Sequence, residues 1–169
     1  MEHSRTTGTL RFTPVTGDNR TLVEGLSVSP DQSGFIEPVR ECLREADGLA
    51  LWRPAAIYRG DALVGFAMYG FFPDPSPGEL WLDRLLIDWR HQGKGYGGQA
   101  VRALLEQLRR EYGQDKVFLS VYETNTAAIR LYRKIGFRFN GGHDTKGEAI
   151  MEYVYDKERR RGYDCSADD

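Results

Sequence analysis

The segment between residues 79 and 122 constrains the fold most. "ELWLDRLLID" (79–88) is a long apolar strand candidate, and "RHQGKGYGGQ" (90–99) places four glycines in ten residues. The residues that follow are strongly helical, and "KVFLSVY" (116–122) reads as a buried strand. A strand, a helix and a second strand in this order demand a parallel crossover. The helix is predicted over 96–112, with Val101, Leu104, Leu105, Leu108 and Tyr112 on one face.

The flanking sequence supplies antiparallel partners. Residues 9–15 alternate well enough for a first strand, and "NRTLVEGL" (19–26) is a short helix candidate with Asn19 as a cap. "EPVRECLREAD" (37–47) reads as a helix, with Pro38 in its first turn, an apolar stripe of Ile36, Val39, Leu43 and Ala46, and Gly48 as its stop. Strands follow at 55–58 and 62–72, around the turn "RGD", and "PDPSPG" (73–78) is a loop. "TAAIRLYRKI" (126–135) repeats Ala128, Leu131, Tyr132 and Ile135 at helical spacing, and Gly136 ends it. "FRFN" and residues 148–155 close the chain as a strand pair. The predicted class is α+β, in the order β-α-α-β-β-β-α-β-α-β-β, with a mixed, mostly antiparallel sheet flanked by helices.

The 169 residues suffice for one domain with a proper core. Residues 1–8 read as a flexible N-terminus, 9–156 as the domain and 157–169 as a charged tail, in which "KERRR" is followed by Asp164, Asp168 and Asp169. No apolar run approaches the roughly 20 residues of a membrane span, and "MEHSRTTG" lacks the apolar stretch of a signal peptide. A cytoplasmic protein is expected. The net charge of −2 argues against nucleic acid as a partner. Cys42 and Cys165 make neither a disulfide framework nor a zinc site, and no metal is expected.

A glycine loop before a helix has a chemical use. The first turn of a helix carries four unpaired N–H groups and a partial positive charge. Glycines let a bulky anion approach them, so the arrangement suits a phosphate or pyrophosphate. "GKGYGG" (93–98) formally matches the dinucleotide fingerprint G-x-G-x-x-G, with Glu123 near the place of its acid, but that motif belongs in a doubly wound parallel sheet. A P-loop is excluded because no Gly-Lys-Ser/Thr occurs.

Gln92, Gly93, Lys94, Gly95, Tyr96 and Gly97, read as Q-x-x-G-x-G after a long apolar strand, resemble the coenzyme A pyrophosphate loop of the GNAT superfamily of N-acetyltransferases. The overlapping R-x-x-G-x-G from Arg90 to Gly95 also fits, so the register of the contacts stays open by two residues. "NTAAIRLYRKIGF" (125–137), one helix and one strand later, resembles the superfamily's Asn-x-x-Ala-x-x-x-Tyr segment. The resemblance implies that Asn125 touches the pantetheine arm and that Tyr132 is the general acid beside the thioester sulfur. Independently, Asn125 suits a helix N-cap, and a phenol with a pKa near 10 can protonate a leaving thiolate. The resemblance also implies that Leu85, Leu86 and Ile87 lend backbone groups to the pantetheine.

Strand alternation puts Glu79, Trp81, Asp83, Leu85 and Ile87 on one face. An alkylammonium acceptor is almost wholly protonated at pH 7, so a proton acceptor is needed. Asp83 is the candidate; the rival reading is a structural pair with an arginine. "FIEPVRECLREAD", "YRGDALVGFAMYG", "WLDRLLID" and "RLYRKIGFRFNG" resemble the bacterial spermine/spermidine N-acetyltransferases over residues 10–155. That resemblance implies acetyl-CoA as co-substrate and a polyamine held by spaced carboxylates, with Glu37, Glu41, Glu79 and Asp83 as candidates. The alternatives are another amine acceptor (a protein lysine or N-terminus, or an aminoglycoside) and a non-catalytic acetyl-CoA-binding module. A homodimer is left open.

Overall fold

The computed structural model describes residues 9–156. The N-terminal eight residues, the charged tail and Cys165 lie outside the described residues. The elements run β1 (Leu10–Pro14), α1 (Arg20–Glu24), α2 (Val39–Gly48), β2 (Trp52–Arg59), β3 (Ala62–Phe72) and β4 (Glu79–Ile87). They continue with α3 (Tyr96–Tyr112), β5 (Lys116–Val121), α4 (Thr126–Ile135), β6 (Arg138–His143) and β7 (Ala149–Val154). The seven strands form one sheet in the order β1-β2-β3-β4-β5-β7-β6. Among the described residues, only β4 and β5 pair in parallel; every other pairing is antiparallel.

The sheet separates two cores, and β3 explains how. Its residues 64–70 are buried throughout, the mark of a strand covered on both faces. Ala67 and Tyr69 pack with Val101, Leu104 and Leu108 of α3 on one side. Phe66 and Met68 pack with Val39 and Leu43 of α2 on the other. Helices α3 and α4 have the bounds their spacing predicts, and left-handed Gly113 ends α3.

Two departures have local causes. Strand β2 begins at Trp52 rather than 55 because Pro54 is tolerated there. Its carbonyl accepts from Val15 N–H (3.1 Å) just past β1, so no β1 carbonyl is left without the donor that proline lacks. Helix α2 starts at Val39, with Pro38 as the extended residue before it and Gly48 as its last helical residue.

The alternation expected along β4 is corrected. Pairing with β3 jumps from Met68↔Arg84 to Tyr69↔Leu82, which leaves Asp83 as the extra residue of a β-bulge. Leu80 and Leu82, and beyond the bulge Leu85 and Ile87, all join the α3-side core. Glu79 and Trp81 therefore lie on the opposite face from Leu85 and Ile87, and the face they share with Asp83 ends at the bulge.

Candidate active site

The bulge sits where the sheet opens. Strands β4 and β5 are in register only at Trp81↔Phe118. Beyond that pair they diverge around a cavity of about 410 Å³. Its walls include Leu85–Ile87 of β4, the glycine loop, the first turn of α3, and Asn125 and Tyr132.

Strand geometry turns backbone groups of β4 toward one wall. The Ile87 carbonyl points into the divergence, where Gln92 Nε2 donates to it at 2.9 Å. Leu85, two residues earlier, presents its groups along the same strand edge. The Gln92 amide also donates to Gln32 Oε1 (2.9 Å), so this side chain braces the loop against the segment after α1.

At the other end, Gly93 and Gly95 have φ of +77° and +81°. A Cβ at Gly93 would meet nothing within 4 Å, and at Gly95 only Gln99 Nε2 at 3.8 Å. Conformation rather than crowding therefore requires glycine here. Gly95 precedes α3, whose first-turn N–H groups have no intrahelical acceptor. Tyr96 is buried and its hydroxyl accepts from Arg59 Nη1 (2.8 Å), so its main chain is what it can offer the cavity. Lys94 is exposed. On the loop's inner side, a Cβ at Gly98 would lie 3.1 Å from Arg102 Nη1 and 3.4 Å from Leu131 Cδ1 of α4.

Asp88 anchors the entrance of this loop. It is fully buried and accepts from Ser27 N–H (3.0 Å), Arg90 N–H (3.1 Å) and Arg90 Nε (2.7 Å). Burial opposes its ionisation, but these donors outweigh that and hold the carboxyl below its usual range. The strand-to-loop corner is thus rigid before the donors begin.

Asn125 caps α4, its Oδ1 accepting from Ala128 N–H (3.4 Å). Tyr132, two turns on, stacks edge-on against Phe137 with ring centroids 5.7 Å apart and borders the cavity. Burial pushes its phenol up to about 12, so it stays protonated at any physiological pH.

A second cavity of about 310 Å³ is lined by Trp52, Trp81, Glu45, Asp144 and Lys146. Asp83, Arg84 and Ser120 line both cavities. Asp83 does pair with an arginine: Arg84 Nη1 donates to its Oδ2. Burial still raises the Asp83 carboxyl to about 6, against the opposing pull of Arg84. Arg84 is itself a hub, 3.0 Å from Glu37 and 3.5 Å from Glu45. Burial raises the Glu37 carboxyl less than Lys146 and Arg84 lower it, so its net shift is downward.

The other sequence-predicted carboxylates lie apart from this cluster. Glu41 is exposed in the first turn of α2 and borders neither cavity. Glu79 is exposed and accepts from Trp81 Nε1 (2.8 Å). Sequence reasoning missed Arg84, Lys146 and Glu148. Glu148, half-buried just before β7, lines the first cavity; burial, with Asp144 and Glu37 adding to it, raises its carboxyl. A lone acid at a strand start carries no signal of its own. Among the described residues, no group of three or more His, Cys, Asp or Glu is placed to hold a metal ion.

The Acetyltransferase (GNAT) family model matches residues 27–137. The chain is 44% identical over 141 residues to the spermine/spermidine N(1)-acetyltransferase of Bacillus subtilis (strain 168), covering 81% of this chain and 93% of that one. Among solved structures, an aminoglycoside acetyltransferase in complex with coenzyme A superposes with a TM-score of 0.74 at 22% identity, covering 90% of this chain and 99% of that one. The spermidine N-acetyltransferase of Vibrio cholerae, in complex with CoA and spermine, superposes with a TM-score of 0.67 at 16% identity, covering 86% and 95%. At those identities the structures bear on the fold, which they share with this chain. With a family model spanning most of the domain and a relative 44% identical over 81% of this chain, the chain belongs to the GNAT family of acetyltransferases.

Proposed function

We propose that the protein transfers an acetyl group from acetyl-CoA to a primary amine of a polyamine such as spermine or spermidine. One observation carries the reading: two cavities meet at Asp83 and Ser120. The first has the shape and donors for a phosphorylated thioester, with main-chain N–H groups at one end and a phenol at the other. The second is walled by aromatic rings and by carboxylates that outnumber the cations among them, which suits a chain of ammonium groups. The 44% identity to a spermine/spermidine acetyltransferase supports the same acceptor.

Each residue then has a task. The loop from Gln92 to Gly97 holds the pyrophosphate with its main chain, and Leu85, Ile87 and Asn125 align the pantetheine arm. Asp83 accepts a proton from the acceptor ammonium, directly or through water. The free amine forms the new N–C bond to the acetyl carbon, the C–S bond breaks, Tyr132 gives its proton to the departing sulfur, and the extra proton shed by the acylated nitrogen returns through water to the phenolate. Positioning the two substrates and neutralising the nucleophile supply the rate. Glu37 holds a more distant ammonium, with Glu41 and Glu79 as outlying attractors. An acetyl-CoA donor fits a cytoplasmic enzyme.

The test is thiol release from acetyl-CoA over a panel of spermine, spermidine, an aminoglycoside and lysine peptides. The polyamines are expected to show the highest kcat/KM. If they are no better than lysine peptides, the acceptor is something else.

A further inference from the structure

Lys146 occupies a place in the second cavity that the reaction leaves unexplained. It sits on the turn between β6 and β7, where Asp144 Oδ1 accepts from the N–H groups of Lys146 and Glu148, both at 2.9 Å. From that fixed base its ammonium reaches Glu37, 109 residues away in sequence. The other Glu37 oxygen lies 3.0 Å from Arg84 Nε, and Arg84 binds Asp83. Charges therefore alternate from the surface to the bulge: Lys146, Glu37, Arg84, Asp83. The inner link is shielded, with the Arg84 side chain 11% exposed, whereas the Lys146 side chain is 51% exposed. Solutes can compete for the outer link and not for the inner one.

A lysine side chain ends in a primary alkylammonium, the same group that ends a polyamine. Resting on the polyamine reading above, we propose that Lys146 is a specificity-determining latch, an internal ammonium held on Glu37 until a distal ammonium of the substrate displaces it. The latch keeps Glu37 paired while the cavity is free of substrate. A monoamine whose single nitrogen lies at Asp83 does not reach Glu37 and leaves the latch closed. A polyamine long enough to span both carboxylates opens it, and its apparent affinity is lowered by that competition. Because the outer ion pair is half exposed, the competition is worth roughly a two- to fivefold change in affinity.

The experiment compares wild type, Lys146→Gln and Lys146→Arg with spermine and with butylamine. Steady-state KM is measured beside a spermine titration of tryptophan fluorescence, since Trp52 and Trp81 line the cavity. Lys146→Gln is expected to lower the spermine KM and dissociation constant about two- to fivefold, with the butylamine KM unchanged; Lys146→Arg, which keeps the cation, is expected to match wild type. A spermine KM that is unchanged or raised in Lys146→Gln overturns the latch while leaving the polyamine reading intact. A wild type that does not turn over spermine overturns both.

Discussion

Asp83 and Arg84 are consecutive in β4, yet their side chains meet, with Arg84 Nη1 donating to Asp83 Oδ2. In a regular strand neighbouring side chains point to opposite faces. Here the bulge turns both toward the point where the two cavities join. The carboxylate is consequently buried, raised to about 6, and still held by a cation. In the proposed reaction its basic form accepts the amine proton, and that form is lost as pH falls. The dependence of kcat/KM on pH should rise through about pH 6 and then level. In Asp83→Asn this limb should vanish and the rate fall roughly 10²- to 10⁴-fold. A limb that survives in Asp83→Asn would transfer the role to Glu148, the other raised carboxyl on the first cavity, to be checked in Glu148→Gln.

Tyr132 is held by its ring, and in the proposed reaction its hydroxyl supplies the proton. Phenylalanine keeps the packing against Phe137 and removes only the proton. Tyr132→Phe should therefore fold normally and bind coenzyme A with wild-type affinity in a calorimetric titration, while kcat falls roughly 10²- to 10⁴-fold. Turnover that is unaltered by the substitution would show that the thiolate leaves without this acid. A wild type that binds the coenzyme but acetylates no amine would instead mark a non-catalytic binding module.

How far the sequence reached depends on whether a feature is local. Helices α3 and α4 were legible to the residue, because apolar spacing and terminal glycines lie within each segment. The conformation of the glycine loop was legible for the same reason: the positive φ of Gly93 and Gly95 follows from a few adjacent residues. The bulge at Asp83 was not, since it exists only in the pairing of β4 with β3. An even alternation through "ELWLDRLLID" was the default, and it put Leu85 and Ile87 on the face of Glu79, Trp81 and Asp83. Gln92 reads as a loop ligand, but its side chain is committed to Ile87 and Gln32 by contacts that no motif encodes. The pairing of Glu37 with Lys146 joins segments 109 residues apart, so neither residue hints at the other.

The corner at Asp88 ties the donor loop to the fold and gives a stability prediction with a defined sign. A fully buried carboxylate there accepts from Ser27 and three times from Arg90. In Asp88→Asn one oxygen becomes an NH₂ group facing a donor. Each donor left unsatisfied costs about 1–3 kcal/mol, so the variant should unfold at lower urea at pH 7. Because the folded-state carboxyl lies below its usual range, its contribution is present above the unfolded value of about 3.9 and lost as pH falls through the folded value. The gap between wild type and Asp88→Asn should accordingly be constant at neutral pH and close in acid. The loop entrance should loosen as well, raising KM for acetyl-CoA more than KM for the amine. Equal urea midpoints at pH 7, or a gap that widens on acidification, would contradict this account of the corner.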